Sequence, residues 1–310
     1  MRDVLHQPVL PNQVLAFLAV DKGRRFVDAT VGCGGHSRRI LEANPDAELL
    51  GLDRDREALV EAEKTLAEFG DRVILHRTRF SLLADALDEC GWDTVDGILL
   101  DVGMSSLQLD TADRGFSFRL DGPLDMRMDS RDSVTASQIV NSWSENELTR
   151  IFREFGEERN ARRIARGIVK RRDEKPWVYT GELASFIDDL TRSPRSGRLP
   201  AATRCFQALR IAVNRELEEL EAVLGMGVER LNVGGRLVVI SFHSLEDRIV
   251  KHFMREEERE CVCPPDFPEC CCDKVRRLNV LTKKPVRADA GEIEVNRRAA
   301  SARLRAAERV

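Results

Sequence analysis

Short apolar runs alternate with amphipathic stretches along the first hundred residues. The runs at Arg25–Thr30, Leu49–Asp53, Val73–His76 and Val95–Asp101, and a later one at Arg236–Ser241, are rich in Val, Ile and Leu and end in polar residues. Such runs predict strands of a buried sheet. Between them, Glu57–Phe69 and Ser81–Cys90 place apolar residues at helical spacing, and Pro8–Leu18 predicts a helix that covers the first strand. Strands alternating with helices predict a doubly wound, mostly parallel α/β sheet.

Residues 102–235 separate the fourth strand from the fifth, whereas a crossover needs about a dozen residues. That gap predicts an inserted module. Its first part, 102–129, is rich in Gly, Asp and Arg and reads as a long loop. Helices are expected at Glu145–Phe155, Glu158–Arg172 and Leu183–Leu190, then a loop at Ser193–Pro200. One long helix, Ala201–Leu224, then returns to the core. The division expected is a discontinuous core of 1–110 and 214–310 around a helical insertion of 111–213. After the fifth strand, Ser244–Glu258 is amphipathic, Val275–Thr282 alternates like a last strand, and the basic tail Asn296–Arg309 is expected on the surface.

The first strand runs into Asp28-Ala-Thr-Val-Gly-Cys-Gly-Gly-His-Ser37, and the second ends on Asp53 about 20 residues further on, the spacing of an adenosine-type cofactor site on a parallel sheet. Glycines at 32, 34 and 35 permit a sharp turn and close approach of a ligand, and Asp53 can accept from two ribose hydroxyls. The dinucleotide fingerprint places its third glycine three residues after the second. Here that position is Ser37, and the third glycine is Gly35. The turn therefore suits S-adenosylmethionine, which has no pyrophosphate, better than a nicotinamide dinucleotide. A nicotinamide-dependent oxidoreductase is the alternative enzyme. A catalytically silent binding module that keeps the fold is the alternative outside enzymes.

Composition narrows the setting. At 310 residues with 42% hydrophobic content, the chain can bury a full core. No apolar run approaches the roughly 20 residues that span a bilayer, so a cytoplasmic protein away from membranes is expected. The net charge of −4 does not mark a nucleic-acid binder, but the charge is uneven. Residues 150–172, which include Arg162, Arg163 and Arg166, carry nine Lys/Arg against three acids, and residues 274–310 carry eleven against four. Such stripes fit docking on a polyanion; they also fit solvated helix faces.

Of the eight cysteines, five crowd into Cys261-Val-Cys263 and Cys270-Cys271-Cys272. Cys261, Cys263, Cys270 and Cys272 form paired C-x-C motifs able to hold a tetrahedral Zn²⁺, although structural sites more often use C-x-x-C. A free thiol cluster or a redox-sensitive loop fits the same residues.

Asp101 follows four apolar strand residues, a costly place for an acid without a partner. A carboxylate there can accept from an exocyclic amine and localise its lone pair as a methyl arrives in line from a sulfonium; a loop cap is the plainer role. Phe80, after the third strand, can pack on an adenine or belong to the core. His36 can meet a cofactor carboxylate or serve the loop. Phe116 and Phe118, among arginines, can stack an extruded base or plug a loop over the cofactor.

Long strings then match one family: Asp28–Ser37, Gly97-Ile-Leu-Leu-Asp-Val-Gly-Met-Ser-Ser106, Arg114-Gly-Phe-Ser-Phe-Arg119 continuing to Asp129, Ala202–Glu218, and Ile240-Ser-Phe-His-Ser-Leu-Glu-Asp247 continuing to Val250. Over nearly its whole length the chain closely resembles the bacterial 16S rRNA (cytosine-N4)-methyltransferase family. The resemblance implies a class I, Rossmann-like methyltransferase core with a helical insertion that recognises substrate. It implies S-adenosyl-L-methionine as cofactor and N4 methylation of one cytosine in the decoding centre of the small ribosomal subunit. It carries cofactor contacts onto Gly34, Gly35, His36, Asp53, Phe80, Asp101 and Gln108, with Asp101 nearest the transferred methyl. His243 and Ser244, in the string after the fifth strand, join Phe116, Phe118 and the three arginines as substrate candidates. The resemblance permits a homodimer. The family varies at the cysteine loop, which leaves at most a local structural metal there.

Overall fold

The computed structural model describes residues 7–191, 199–264 and 271–310. Cys270 and most of the expected loop at 193–200 lie outside them. Seven strands form one sheet: β1 (Arg25–Asp28), β2 (Glu48–Asp53), β3 (Val73–Arg77), β4 (Val95–Asp101), β5 (Leu231–Ser241), β6 (Leu278–Val280) and β7 (Arg303–Arg309). Their order is β3-β2-β1-β4-β5-β7-β6. The first five run parallel, with Val27 opposite both Leu50 and Ile98; β7 is antiparallel to β5 and to β6. The strand order reverses between β1 and β4, the place where open parallel sheets bind ligands at their carboxyl ends.

Alternate strand residues feed two cores on opposite faces, as the two-residue period of a strand requires. Val27, Leu50, Leu52, Ile98, Leu100 and Val239 pack with Leu83, Leu87, Val223 and Leu224. Phe26, Leu49, Leu99, Val238 and Ile240 pack with Val14, Leu18, Ile40 and Leu59. Helices therefore cover both faces. They are Pro11–Leu18, Gly35–Ala43 and Arg56–Leu66 on one side, and Leu83–Glu89, Glu216–Arg230 and Ser244–Glu258 on the other. Sequence reasoning placed no element at Gly35–Ala43, whose apolar face is short.

By internal contacts the chain divides into residues 1–103 with 217–310 and residues 104–216. The second unit is helical: Ala136–Ser142, Glu145–Glu154, Ala161–Arg172, Thr180–Thr191 and Ala201–Asn214. It has its own core of Ile139, Leu148, Phe152, Ile164, Trp177, Leu183 and Leu209. Capping boxes begin the first two helices, from Thr135 with Gln138 and from Ser144 with Glu147, satisfying amides that a helix start leaves open. Asn214 ties the preceding loop down: its Oδ1 accepts from Met128 N–H at 2.8 Å, and its Nδ2 donates to Met126 O at 2.8 Å.

Two expectations are corrected. The long helix Ala201–Leu224 is two helices, because Arg215 takes a left-handed φ of 51° and ends the first. An Arg210–Glu216 pair, with both contacts at 2.8 Å, holds the break. The basic tail is not a surface segment throughout: Arg303–Arg309 is β7, with Leu304, Ala306 and Ala307 at 0% exposure. Its charges hide the strand pattern because they are neutralised in place. Arg305 Nε donates to Asp247 Oδ1 at 2.6 Å, and Arg236 reaches Glu308 at 2.5 Å. The strand expected at Val275–Thr282 is the shorter β6, Leu278–Val280, and it is not the last, since β7 follows it. Among the described residues no helix is long and apolar enough to cross a membrane.

Candidate active site

The turn after β1 is built by glycine. Gly32 and Gly34 have φ of 51° and 86°, left-handed values that side chains with a Cβ adopt only with strain. Gly34 caps the helix Gly35–Ala43. A Cβ there would come within 3.2 Å of Leu66 Cγ. The Gly32 N–H donates to Asp53 Oδ2 at 3.0 Å, which ties the turn to the end of β2. Asp53 Oδ1 accepts from the Asp55 N–H at 2.9 Å. Burial pushes the Asp53 carboxyl up to about 6, against the pull of those two amides.

A second group of polar residues gathers where β1 and β4 end side by side. Asp28 is 1% exposed; its Oδ2 accepts from Ser37 Oγ at 2.7 Å and its Oδ1 from the Thr30 N–H at 3.2 Å. Burial raises the Asp28 carboxyl, although His36 and the Ser37 hydroxyl pull it down. The Asp101 N–H donates to Thr30 Oγ1 at 2.7 Å. His36 Nε2 stands 3.6 Å from Asp101 Oδ2, with the histidine side chain 7% exposed and the aspartate 21%. Both ring nitrogens of His36 and Oδ1 of Asp101 are buried without a hydrogen-bond partner. Buried polar atoms are almost always satisfied, so orphans clustered at a strand-order reversal mark a place built for a ligand. Sequence reasoning did not single out Thr30 and Ser37. The signal available was their position in the glycine turn, one strand end from Asp101.

Gly34, Gly35, His36, Asp53 and Asp101 thus lie around the carboxyl ends of β1, β2 and β4. Phe80 opens the 3-10 turn Phe80–Leu82 after β3 and packs, partly buried, on the Val27–Leu50 core. Gln108 lies in the helical unit, buried, where its side chain accepts from the Ser105 N–H at 3.1 Å in a capping box. Phe116 is buried in the helical core, and Phe118 packs edge-on against Phe206 with ring centroids 4.9 Å apart. In the free protein these aromatics are packing residues. Arg162, Arg163 and Arg166 are exposed, with Arg162 and Arg166 each 3.6 Å from Glu145 Oε1. The end of the same stripe turns inward: Arg171 lies over Trp177, and Arg172 donates to Val140 O and Trp143 O. His243 caps the helix Ser244–Glu258, its Nδ1 accepting from the Glu246 N–H at 3.4 Å.

A model of the MraW methylase family matches residues 3–310. The chain belongs to the MraW methylase family. Relatives of the same length are similar throughout. The ribosomal RNA small subunit methyltransferase H of Carboxydothermus hydrogenoformans is 52% identical over 305 residues, 98% of each chain. The enzyme of that name from Geotalea uraniireducens is 53% identical over 312 residues, 100% of each chain. Among solved structures, a putative rRNA methylase from Clostridium thermocellum is similar at a TM-score of 0.44 and 13% identity, over 97% of this chain and 95% of that one. In an MraW methylase the orphaned atoms have a natural occupant. The glycine turn, the acid at the end of β2 and the His36–Asp101 pair offer donor and acceptor chemistry that fits S-adenosylmethionine.

Proposed function

We propose that this chain methylates the exocyclic N4 of one cytosine in the decoding centre of 16S rRNA, in the cytoplasm, with S-adenosylmethionine as donor. The observation that carries the chemistry is the unpartnered, buried Oδ1 of Asp101 beside His36. The names of the half-identical relatives, ribosomal RNA small subunit methyltransferase H, support the substrate.

Bound at the strand ends, the cofactor supplies an electrophilic methyl on a sulfonium. Asp53 accepts from the ribose hydroxyls, and the Gly32–Gly35 turn leaves room for close approach. Asp101 accepts an N–H of the cytosine amine. That amine is a poor nucleophile because its lone pair is spread into the ring, and a carboxylate acceptor localises it. The proton displaced from nitrogen leaves toward Asp101 and then solvent. His36, whose ring nitrogens are unpartnered 3.6 Å from Asp101 Oδ2, is left to meet the cofactor's carboxylate. Gln108 serves as a further cofactor contact in this reading, and Phe80 as the wall beside the adenine. The helical unit presents Arg162, Arg163 and Arg166 to phosphates, which supply salt-sensitive affinity. Phe116, Phe118, His243 and Ser244 stand as substrate contacts only if the loops that pack them rearrange on RNA.

The test is tritium transfer from labelled S-adenosylmethionine to small subunits, and to free 16S rRNA, from a strain lacking the activity. Label is expected as N4-methylcytidine after nuclease digestion. Label on another base, or none with cofactor binding intact, refutes the assignment.

A further inference from the structure

Between the helix Ser244–Glu258 and β6, the chain makes a loop that sequence reasoning marks for cysteine and that methyl transfer does not use. None of its described residues from 259 to 264 and from 271 to 277 is buried. Val262 is 50% exposed and Val275 71%. Among the described residues no buried apolar side chain explains why this loop closes on itself, yet its sulfurs converge. The Sγ atoms of Cys261, Cys263 and Cys272 lie within 4.8 Å of one another. Cys272 Sγ is 3.7 Å from Cys261 Sγ, and Cys271 Sγ is 3.8 Å from Cys263 Sγ. Four sulfurs set tetrahedrally around Zn²⁺, each about 2.3 Å from the metal, stand about 3.8 Å apart.

Backbone amides are turned toward the same sulfurs. Cys263 N–H donates to Cys261 Sγ at 3.3 Å, Val262 N–H to Cys272 Sγ at 3.4 Å, and Cys271 N–H to Cys263 Sγ at 3.4 Å. Amide donors stabilise thiolate, the form that binds metal. Soft thiolates converging within 4.8 Å of one another suit zinc among the common divalent ions.

We propose that Cys261, Cys263 and Cys272 ligate a structural Zn²⁺ that staples this loop. Each ligating thiol gives its proton to solvent and a lone pair to the metal; nothing is oxidised or reduced. The metal closes the loop next to the short edge strand β6, whose feet are anchored without it. Arg277 N–H donates to Glu257 O at 2.9 Å, Lys274 Nζ stands 3.4 Å from Glu257 Oε1, and Val280 N–H donates to Glu258 Oε1 at 2.9 Å. Losing the ion therefore loosens the loop and leaves the sheet formed. That makes cysteine variants foldable and the proposal testable independently of methyl transfer.

The experiment measures metal in the full-length protein, loaded with zinc under reducing conditions and desalted. About one zinc per chain is expected by elemental mass spectrometry, and less than about a tenth of that in the double variant Cys261→Ser, Cys272→Ser. Cobalt in place of zinc should give a thiolate-to-metal charge-transfer band and the visible bands of a tetrahedral site, both missing from the double variant. A chelator should speed protease cleavage within 259–277 of the wild type and leave the already fast cleavage of the variant unchanged. Wild-type protein that stays free of zinc with all thiols reduced overturns the proposal. So does a disulfide found within the cluster by intact mass, or a double variant that retains its zinc.

Discussion

Replacing Asp53 with Asn tests the reading of the cofactor site where the electrostatics are most explicit. Burial lifts this carboxyl from 3.8 to about 6 in the free protein, a difference worth about 3 kcal/mol. A raised acid favours folding while it is protonated. Its contribution is fully present below the unfolded value, and it is lost as pH climbs through the folded value. At neutral pH the wild type therefore bears a desolvation cost of about 3 kcal/mol that the amide does not. The amide has its own cost. Two backbone N–H groups, from Gly32 and Asp55, point at the two carboxylate oxygens. Asn offers an acceptor to only one of them, a loss of about 1–3 kcal/mol. That second term does not depend on pH, so the slope, not the offset, carries the test.

The stability of Asp53→Asn relative to wild type should rise by about 3 kcal/mol between pH ~4 and pH ~7 and then level off. Urea unfolding followed by fluorine NMR of fluorotryptophan-labelled protein isolates the right unit. Trp92 belongs to the unit that holds Asp53, and Trp143 and Trp177 to the other. A difference that stays flat across that range means that Asp53 titrates as an ordinary surface acid, and the burial account of the site fails. Cofactor affinity supplies the functional half. In the proposed site the ribose hydroxyls donate to the ionised carboxylate, so S-adenosylmethionine binding by calorimetry should weaken below pH about 6 by up to tenfold per pH unit. In Asp53→Asn it should be weak and nearly independent of pH.

The other expectations concern single contacts. Asp101→Asn should cut methyl transfer by about 10²–10⁴ with cofactor binding and circular dichroism close to wild type; activity within a factor of a few refutes the acceptor role. Arg162→Ala with Arg166→Ala should weaken RNA binding and flatten its salt dependence by about one counterion per side chain removed; an unchanged salt slope makes this stripe a solvated face. Asp247→Ala leaves Arg305, 6% exposed, without the carboxylate it pairs with, and should cost about 3–5 kcal/mol, read as a lowered urea midpoint. At Gly115, with φ of 68°, a Cβ would lie 2.0 Å from Pro123 O. Gly115→Ala should therefore unsettle the 112–126 loop, seen as faster hydrogen exchange there; exchange at the wild-type rate refutes the close approach.

The parallel sheet was legible because its strands are largely apolar and end on polar residues, acids in β1, β2 and β4, a pattern with few other readings. The turn chemistry was legible at Gly32 and Gly34, since glycines between a strand and a helix have a specific conformational reason. β7 was not: Arg303, Arg305 and Arg309 give its segment the look of a solvated tail, and only the position of Asp247 in three dimensions claims the charges of Arg303 and Arg305. The break at Arg215 was equally hidden, because an arginine carries no signal for a left-handed φ. The basic stripe divides for the same reason. Arg171 and Arg172 resemble Arg162 and Arg166 in sequence, yet Trp177 and the carbonyls of residues 140 and 143 claim the first two.

Asp28 and Asp101 end neighbouring strands and are set apart by their partners. Burial lifts the Asp28 carboxyl most, and the charge of Asp101 adds to that lift. Asp28 takes the burial, at 1% exposure, and its oxygens are occupied by Ser37 and Thr30. With both oxygens engaged, Asp28 shapes the turn. Asp101, at 21% side-chain exposure, keeps Oδ1 unpartnered. In the proposed reaction one acid holds the turn and the other is the open acceptor. Exchanging those roles is the perturbation that separates architecture from chemistry. Ser37→Ala, which frees Asp28 Oδ2, should lower stability by about 1–3 kcal/mol and leave a competent Asp101, whereas Asp101→Asn should do the reverse. If Ser37→Ala and Asp101→Asn instead lose activity and stability in the same proportion, the two carboxylates act as one unit and the division made here is wrong.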